Sequence, residues 1–177
     1  MPDRGFTLLE LSISLMVLSL IVTGGVVVIS AGIDSSRQSD AIAKVLMFKK
    51  AIVGDPRNVT KEARTDFGYV GDMGSLPSSL QDLWVQGSQP PYVFDNAKQM
   101  GAGWAGPYVQ VGPLKFANDL ARDAWGNQLQ YVVQTGTSST TGQQYRARIF
   151  SYGADAAAGG DDDITAEIYT TECSLPS

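Results

Sequence analysis

The sequence predicts an α+β protein: one long N-terminal helix, apolar in its first half and amphipathic in its second, packed on a small head with a three-stranded antiparallel sheet. Three observations carry that expectation. No charged residue occurs from Leu11 to Ile33, an apolar stripe then recurs at helical spacing as far as Val53, and the last third holds three segments in which apolar and polar residues alternate.

The uncharged run is about 23 residues long and would rise about 35 Å as a helix, enough to cross a bilayer core. A secretory signal peptide is the competing reading. It needs a basic leading segment and a shorter apolar stretch of about 7 to 15 residues. Here Met1-Pro2-Asp3-Arg4 sets one acid against one base and the run is too long, although Ile29-Ser30-Ala31 is a weak match to a cleavage site. Gly24-Gly25 lies inside the run. Each glycine costs a helix about 1 kcal/mol relative to Ala, which fits either a segment that loosens or close packing of helices.

From Asp34 to Val53 the helix continues with polar character, and Ala41, Val45, Phe48 and Ile52 fall on one stripe expected to pack on the head. Lys44, Lys49 and Lys50 lie off that stripe and read as solvated. Gly54-Asp55-Pro56 ends the helix, since Gly suits the position past the end and Pro cannot continue it. A helix from Phe6 to about Val53 would be about 70 Å long.

The segment from Arg57 to about Lys115 is rich in Gly, Pro and turn residues. It reads as packed and irregular, with a short helix at Ser78 to Trp84 after Leu76-Pro77. Trp84, Trp104, Phe67, Tyr69 and Tyr92 read as head core rather than as a ligand platform. Leu129 to Val133, Tyr145 to Ser151 and Ile164 to Thr170 are the expected strands, with Thr135 to Gln144 as a hairpin loop.

Composition removes several classes of function. A formal net charge of -5 gives no basic field for a phosphate backbone, so nucleic acid is not an expected partner. The chain has no His, which removes the commonest general base and the Ser-His-Asp arrangement. One cysteine, Cys173, excludes an intrachain disulfide. No base, nucleophile and oxyanion set is visible, and an enzyme is not expected.

Two local features need a further explanation. Glu10 stands at the start of the apolar run, where an uncompensated acid in lipid costs several kcal/mol and so needs a partner or a task. The second is Ser151-Tyr152-Gly153-Ala154-Asp155-Ala156-Ala157-Ala158-Gly159-Gly160-Asp161-Asp162-Asp163-Ile164, between the second and third strands. Four carboxylates among glycines and small residues suit a hard cation such as Ca2+, which takes six to eight oxygens. An exposed acidic turn is the alternative, because the spacing is not that of an EF-hand.

Gly5-Phe6-Thr7-Leu8-Leu9-Glu10-Leu11 resembles the processing site of type IV pilins and type II secretion pseudopilins. The resemblance implies cleavage between Gly5 and Phe6 by a prepilin peptidase, methylation of the Phe6 amine, and pairing of Glu10 with that amine in a neighbouring subunit. Gly106-Pro107-Tyr108, Asp123-Ala124-Trp125-Gly126-Asn127 with Leu129-Gln130-Tyr131, and the acidic loop are similar, in that order, to the head of the type II secretion major pseudopilin family. This second resemblance implies a structural Ca2+ held by Asp155, Asp162 and Asp163 with carbonyls of Tyr152 and Ala157, Asp161 being a nearby charge. Four departures are visible: Asp3 beside Arg4 weakens the positive charge of the leader, Ala124 stands where the family has Pro, Arg57 to Met73 is longer than usual, and the helix lacks the Pro many pilins carry near Val27. The resemblance covers about the first 50 and last 75 residues.

The implied organisation is a leader at 1–5, a transmembrane and assembly helix at 6–33, its amphipathic continuation at 34–53, and a head at 54–177 carrying the acidic loop at 152–163. The implied protein is a non-enzymatic major pseudopilin, anchored once in a bacterial inner membrane with its head in the periplasm. Its partners would be copies of itself, the peptidase, the inner-membrane assembly platform and minor pseudopilins. A type IV pilus pilin for adhesion or motility is the alternative.

Overall fold

The computed structural model describes residues 7–60, 63–64, 66–97, 100–110 and 117–173. The chain divides into two compact units, Met1–Arg37 and Gln38–Ser177. Helix α1, Leu8–Val53, contributes to both and continues through Gly24-Gly25 without a break.

In the first unit the described large apolar side chains of α1 are exposed, from Leu8 at 89% to Ile33 at 48%. Ser12, Ser14 and Ser19 donate their hydroxyls to the carbonyls of Leu9, Glu10 and Met16, each at 2.8 Å. These three hydroxyls are thus satisfied within the helix itself. Among the described residues no helix is long and apolar enough to cross a membrane. The side chains of residues 22–31, the centre of the apolar run, fall outside that description.

In the second unit the expected stripe of α1 is buried: Ala41, Phe48 and Ile52 are fully inaccessible and Val45 nearly so. Burying each large side chain contributes at most about 1.5–3 kcal/mol. The helix stops where expected. Gly54 adopts φ 81°, its N–H bonds the Lys50 carbonyl at 2.7 Å, and a Cβ there would stand 2.3 Å from the Asp66 carbonyl oxygen. Only glycine fits that turn.

The expected sheet forms from β5 (Gln130–Thr137), β6 (Gln144–Ser151) and β7 (Ile164–Tyr169), antiparallel in the order β5-β6-β7. The central strand buries Tyr145, Ala147, Ile149 and Ser151 in strict alternation, as the two-residue period of a strand dictates. Ile149 and Ile168 meet Phe48, Ile52 and Leu83 in one core. The turn between β5 and β6 is shorter than expected, because Thr135 to Thr137 belong to β5. Ser138 is buried at that turn, bonds Gln143 through its N–H at 2.9 Å, and accepts the Thr140 and Thr141 N–H groups on its hydroxyl.

The middle of the chain is more ordered than its composition suggests. It holds β1 (Val59–Thr60) paired with β2 (Ala63–Arg64), α2 (Gly68–Met73), a 3-10 turn at Leu80–Leu83, and β3 (Val93–Asp95) paired with β4 (Met100–Ala102). A short α3 follows at Ala117–Leu120. Strands of two or three residues are too brief to show a period in sequence. The expected helix at Ser78 to Trp84 is the 3-10 turn, and Asp82 sets its start by accepting from Ser78 N, Ser78 Oγ and Ser79 N at 2.8, 2.7 and 2.9 Å. Burial pushes the Asp82 carboxyl up, but these hydrogen bonds together outweigh it and hold the group below its ordinary value.

Two expectations are corrected here. Tyr69 is buried and Trp84 and Trp104 pack against the core, but Tyr92 is 43% exposed on the β3–β4 hairpin. The three lysines are not simply solvated. Lys49 pairs with Glu172 at 2.9 Å and lies 4.9 Å from the Tyr169 ring centre; Lys50 pairs with Asp55 at 2.8 Å; Lys44 donates to the carbonyls of Asp119 and Arg122. Each flanks the buried stripe closely enough to reach the rim of the head.

Candidate functional site

At the N-terminal end, Gly5 and Phe6 lie outside the described residues. Thr7 begins the helix, its hydroxyl accepting the Glu10 N–H at 3.2 Å and its carbonyl the Leu11 N–H at 3.1 Å. The Thr7-x-x-Glu10 spacing is that of a helix-starting pair, with an acid in the first turn where the helix dipole favours it. The Glu10 side chain is exposed, and among the described residues no ion pair within the chain reaches it.

The acidic loop leaves β6 at Ser151 and enters β7 at Ile164. Gly153, at φ 67°, turns the chain tightly enough that the Asp162 carboxylate reaches back over it: a Cβ on Gly153 would stand 2.2 Å from Asp162 Oδ2. That oxygen accepts the Ala154 N–H at 2.6 Å and, more weakly, the Asp155 N–H at 3.4 Å. Asp155 Oδ1 accepts the Ala157 N–H at 2.9 Å and Asp163 Oδ2 the Gly159 N–H at 2.7 Å. Ala156 sits at φ 56°, a conformation residues with a Cβ rarely adopt. The Tyr152 ring packs edge-on against Phe150, 5.2 Å between centres.

The fit of this loop to a cation is partial. Asp162 Oδ1 and Asp155 Oδ2 both look onto the space beside Gly160, at 2.5 and 3.5 Å from where a Cβ would stand. Asp163 keeps a buried Oδ1 without a hydrogen-bond partner. The third carboxylate does not join the other two: among the described residues no group of three or more His, Cys, Asp or Glu is gathered closely enough to hold a metal ion. Asp161 is exposed.

Sequence reasoning gave no role to the residue that anchors this loop. Asp123 is buried; its Oδ1 accepts the Trp125 and Asn127 N–H groups at 3.0 and 2.8 Å, and its Oδ2 the Ser151 hydroxyl at 2.6 Å. Ser151 Oγ in turn accepts the Gly153 N–H at 3.1 Å, and the Asn127 amide donates to the Gly153 carbonyl at 2.8 Å. The Asp-x-x-Gly-Asn turn thus clamps the first corner of the acidic loop. An Asp followed by turn residues was the available signal, but only the fold brings it to Ser151.

Two family models match the chain. The prokaryotic N-terminal methylation motif matches residues 1–26, and the model described as type II secretion system protein G matches residues 67–170. The second match runs through the middle segment as well as the sheet, farther than the resemblance read from the sequence. No curated protein and no solved structure matches the chain. With more than half of its residues matched and an N-terminal methylation motif ahead of them, the chain belongs to the type II secretion system protein G family of pilin-like structural subunits.

Proposed function

We propose that the chain is the filament-building pseudopilin of a type II secretion system, cut after Gly5, methylated at Phe6 and polymerised into a periplasmic filament that drives protein export across the outer membrane. The observation that carries this reading is the co-occurrence in one chain of the methylation motif at 1–26 and the protein G head at 67–170. The exposed apolar side chains of α1 from Leu8 to Ile21 support a helix held in the inner membrane before assembly and among neighbouring helices after it. Glu10 then neutralises the Phe6 amine of the next copy and sets the axial register. The peptidase, the assembly platform and minor pseudopilins are the other partners of this reading.

In the head, we propose a Ca2+ ion for the acidic loop, whose donors are oxygens alone and which meets such an ion in part. Asp155 and Asp162 share the space beside Gly160, and Asp163 holds an unpaired buried oxygen. Asp155 and Asp162, with the carbonyls of Tyr152 and Ala157, would hold it, and Asp163 would join them only if the loop drew its carboxylate inward. The ion would supply positive charge to a loop with four aspartates.

Coexpression with a prepilin peptidase, followed by mass spectrometry, tests the processing step. The expected product lacks its first five residues and carries a methyl group on Phe6, and Gly5→Val stops the cut. Cleavage near Ala31 instead would end the pseudopilin reading. Restoration of exoprotein release in a strain lacking its own pseudopilin supports secretion; surface fibres without that release point to the pilus.

A further inference from the structure

A cavity of about 540 Å³ opens on the head between two walls, in the range of about 300–1,000 Å³ usual for a small-ligand site. One wall is the 3-10 turn and its exit, held by the three bonds to Asp82 and by the Trp84 and Val85 N–H groups, which donate to the Gln81 carbonyl at 3.1 and 3.0 Å. The other is the Arg122 turn and the start of β5. There the Leu129 N–H bonds the Ala121 carbonyl at 2.8 Å, Arg122 bridges to Gln128, and Arg122 Nη1 donates to the Gly126 carbonyl at 2.6 Å. Tyr131 ties the walls together, its hydroxyl donating to the Pro77 carbonyl at 3.1 Å. The cavity is thus built before any ligand arrives.

The free groups around it are of one kind. Trp84 packs on the core through Phe48, 6.2 Å between ring centres, and is half-buried, so that it also lines the cavity. Among the described residues its indole N–H and the side-chain amides of Gln81 and Gln128 have no hydrogen-bond partner, and Gln130 gives only its NH2 group, to the Gln128 carbonyl at 3.2 Å. Arg122 is the one charged residue of the lining, and Asp119 meets it only at 3.8 Å with both side chains half exposed. The unspent polar groups are therefore side-chain groups beside an aromatic ring, while main-chain groups of both walls are taken up by their own turns. A peptide site has the opposite character, since main-chain pairing carries it. A polyphosphate would need several cations, and the lining has one.

We propose that this cavity binds a short oligosaccharide bearing carboxylates. Trp84 takes the C–H face of a sugar ring, Gln81, Gln128 and Gln130 bond its hydroxyls, and Arg122 takes a carboxylate through the N–H groups not given to Gly126. A pyranose has an apolar face and a rim of hydroxyls, and an indole flanked by planar amides, each both donor and acceptor, presents the matching surface. Arg122 adds the selection for an acidic sugar, because a guanidinium pairs with a carboxylate through two parallel bonds. The site needs only the folded head and does not depend on the filament reading.

The test uses the full chain in micelles of a zwitterionic detergent, which has no sugar headgroup, and follows the Trp84 indole N–H and the Gln81 and Gln128 side-chain amides by NMR. Trigalacturonate is the acidic probe and maltotriose the neutral one. Trigalacturonate is expected to shift all three signals saturably, with a Kd of about 1 mM or below. Maltotriose, which offers Arg122 no carboxylate, is expected to bind about tenfold more weakly. Arg122→Gln is expected to weaken trigalacturonate about tenfold and leave maltotriose unchanged. Gln128→Ala removes a side chain that bonds nothing else among the described residues, so it should weaken both sugars with the melting temperature unchanged, and it carries the test if Arg122→Gln fails to fold. Absence of a saturable shift from either sugar at about ten times that Kd overturns the proposal, as does unchanged affinity in Gln128→Ala. Equal affinity for the two sugars overturns the acidic class. The same shifts from acetate alone would mean a bare anion site, and from trialanine a peptide site, and either result overturns the saccharide assignment.

Discussion

Replacing Asp123 by Ala should destabilise the head more than any change in the acidic residues it supports. Three donors end on that one buried carboxylate: two backbone N–H groups and the hydroxyl of Ser151, itself fully inaccessible. A hydrogen bond to a charged acceptor contributes about 1.5–3 kcal/mol net, and a buried donor left unpaired costs about 1–3 kcal/mol. Some of this is offset because the variant no longer desolvates a carboxylate. The net loss should be about 3 kcal/mol. For a domain near 150 residues each kcal/mol lowers the melting temperature by about 2–4 °C, so the fall should be about 6–12 °C. Asp123→Asn keeps an oxygen for both N–H groups and should lose about a third as much. The assay is thermal unfolding of the head, residues Gln38–Ser177, followed by circular dichroism with a chelator present so that bound ions play no part. A fall below about 2 °C for the alanine variant would refute the claim that Asp123 anchors the loop.

Glu10→Ala should still be cut and methylated but fail to form filaments, and pelleting of assembled material distinguishes these steps; normal polymerisation would require another role for the acid. Removing Ca2+ with a chelator should lower the melting temperature of the parent head, by the equivalent of about 2.7 kcal/mol when the free ion had stood at one hundred times its dissociation constant. Asp155→Ala and Asp162→Ala should melt like the chelated parent, and equal melting of the parent in both conditions would return the loop to a solvated turn. Lys50, followed by the N–H and side chain of Arg57, holds the Asp55 carboxyl well below its ordinary value. A depressed pKa stabilises the fold above the unfolded value and loses that effect as pH falls through the folded one. Asp55→Asn should therefore be less stable than the parent at pH 7, and urea midpoints should converge only well below pH 4.

Much of this architecture was legible in the sequence because it is written in local patterns. The stripe Ala41, Val45, Phe48 and Ile52 has a helical period, and Tyr145 to Ser151 has a strand period; both faces are buried as that periodicity requires. The middle segment hid its hairpins because strands as short as Val59–Thr60 and Val93–Asp95 contain no full repeat of their own. The acidic loop was visible as composition. How its carboxylates are spent was not, since Asp162 reaches back to Ala154 and Asp163 to Gly159 only once Gly153 has turned the chain.

By itself the sequence determined the long helix and its stop at Gly54, the three-stranded sheet, and the motif around Gly5 and Glu10, for each depends on neighbours within a few residues. Tertiary structure alone decided that Lys49 answers Glu172, that Lys44 reaches the carbonyls of Asp119 and Arg122, and that Asp123 holds Ser151. It also decided that Val132, Val133, Val93 and Phe94, ordinary strand residues by composition, are left facing water. The physical reason is sequence separation: a hydrogen bond, an ion pair or an exposed edge between segments tens of residues apart depends on how the core brings them together, and no local period encodes that.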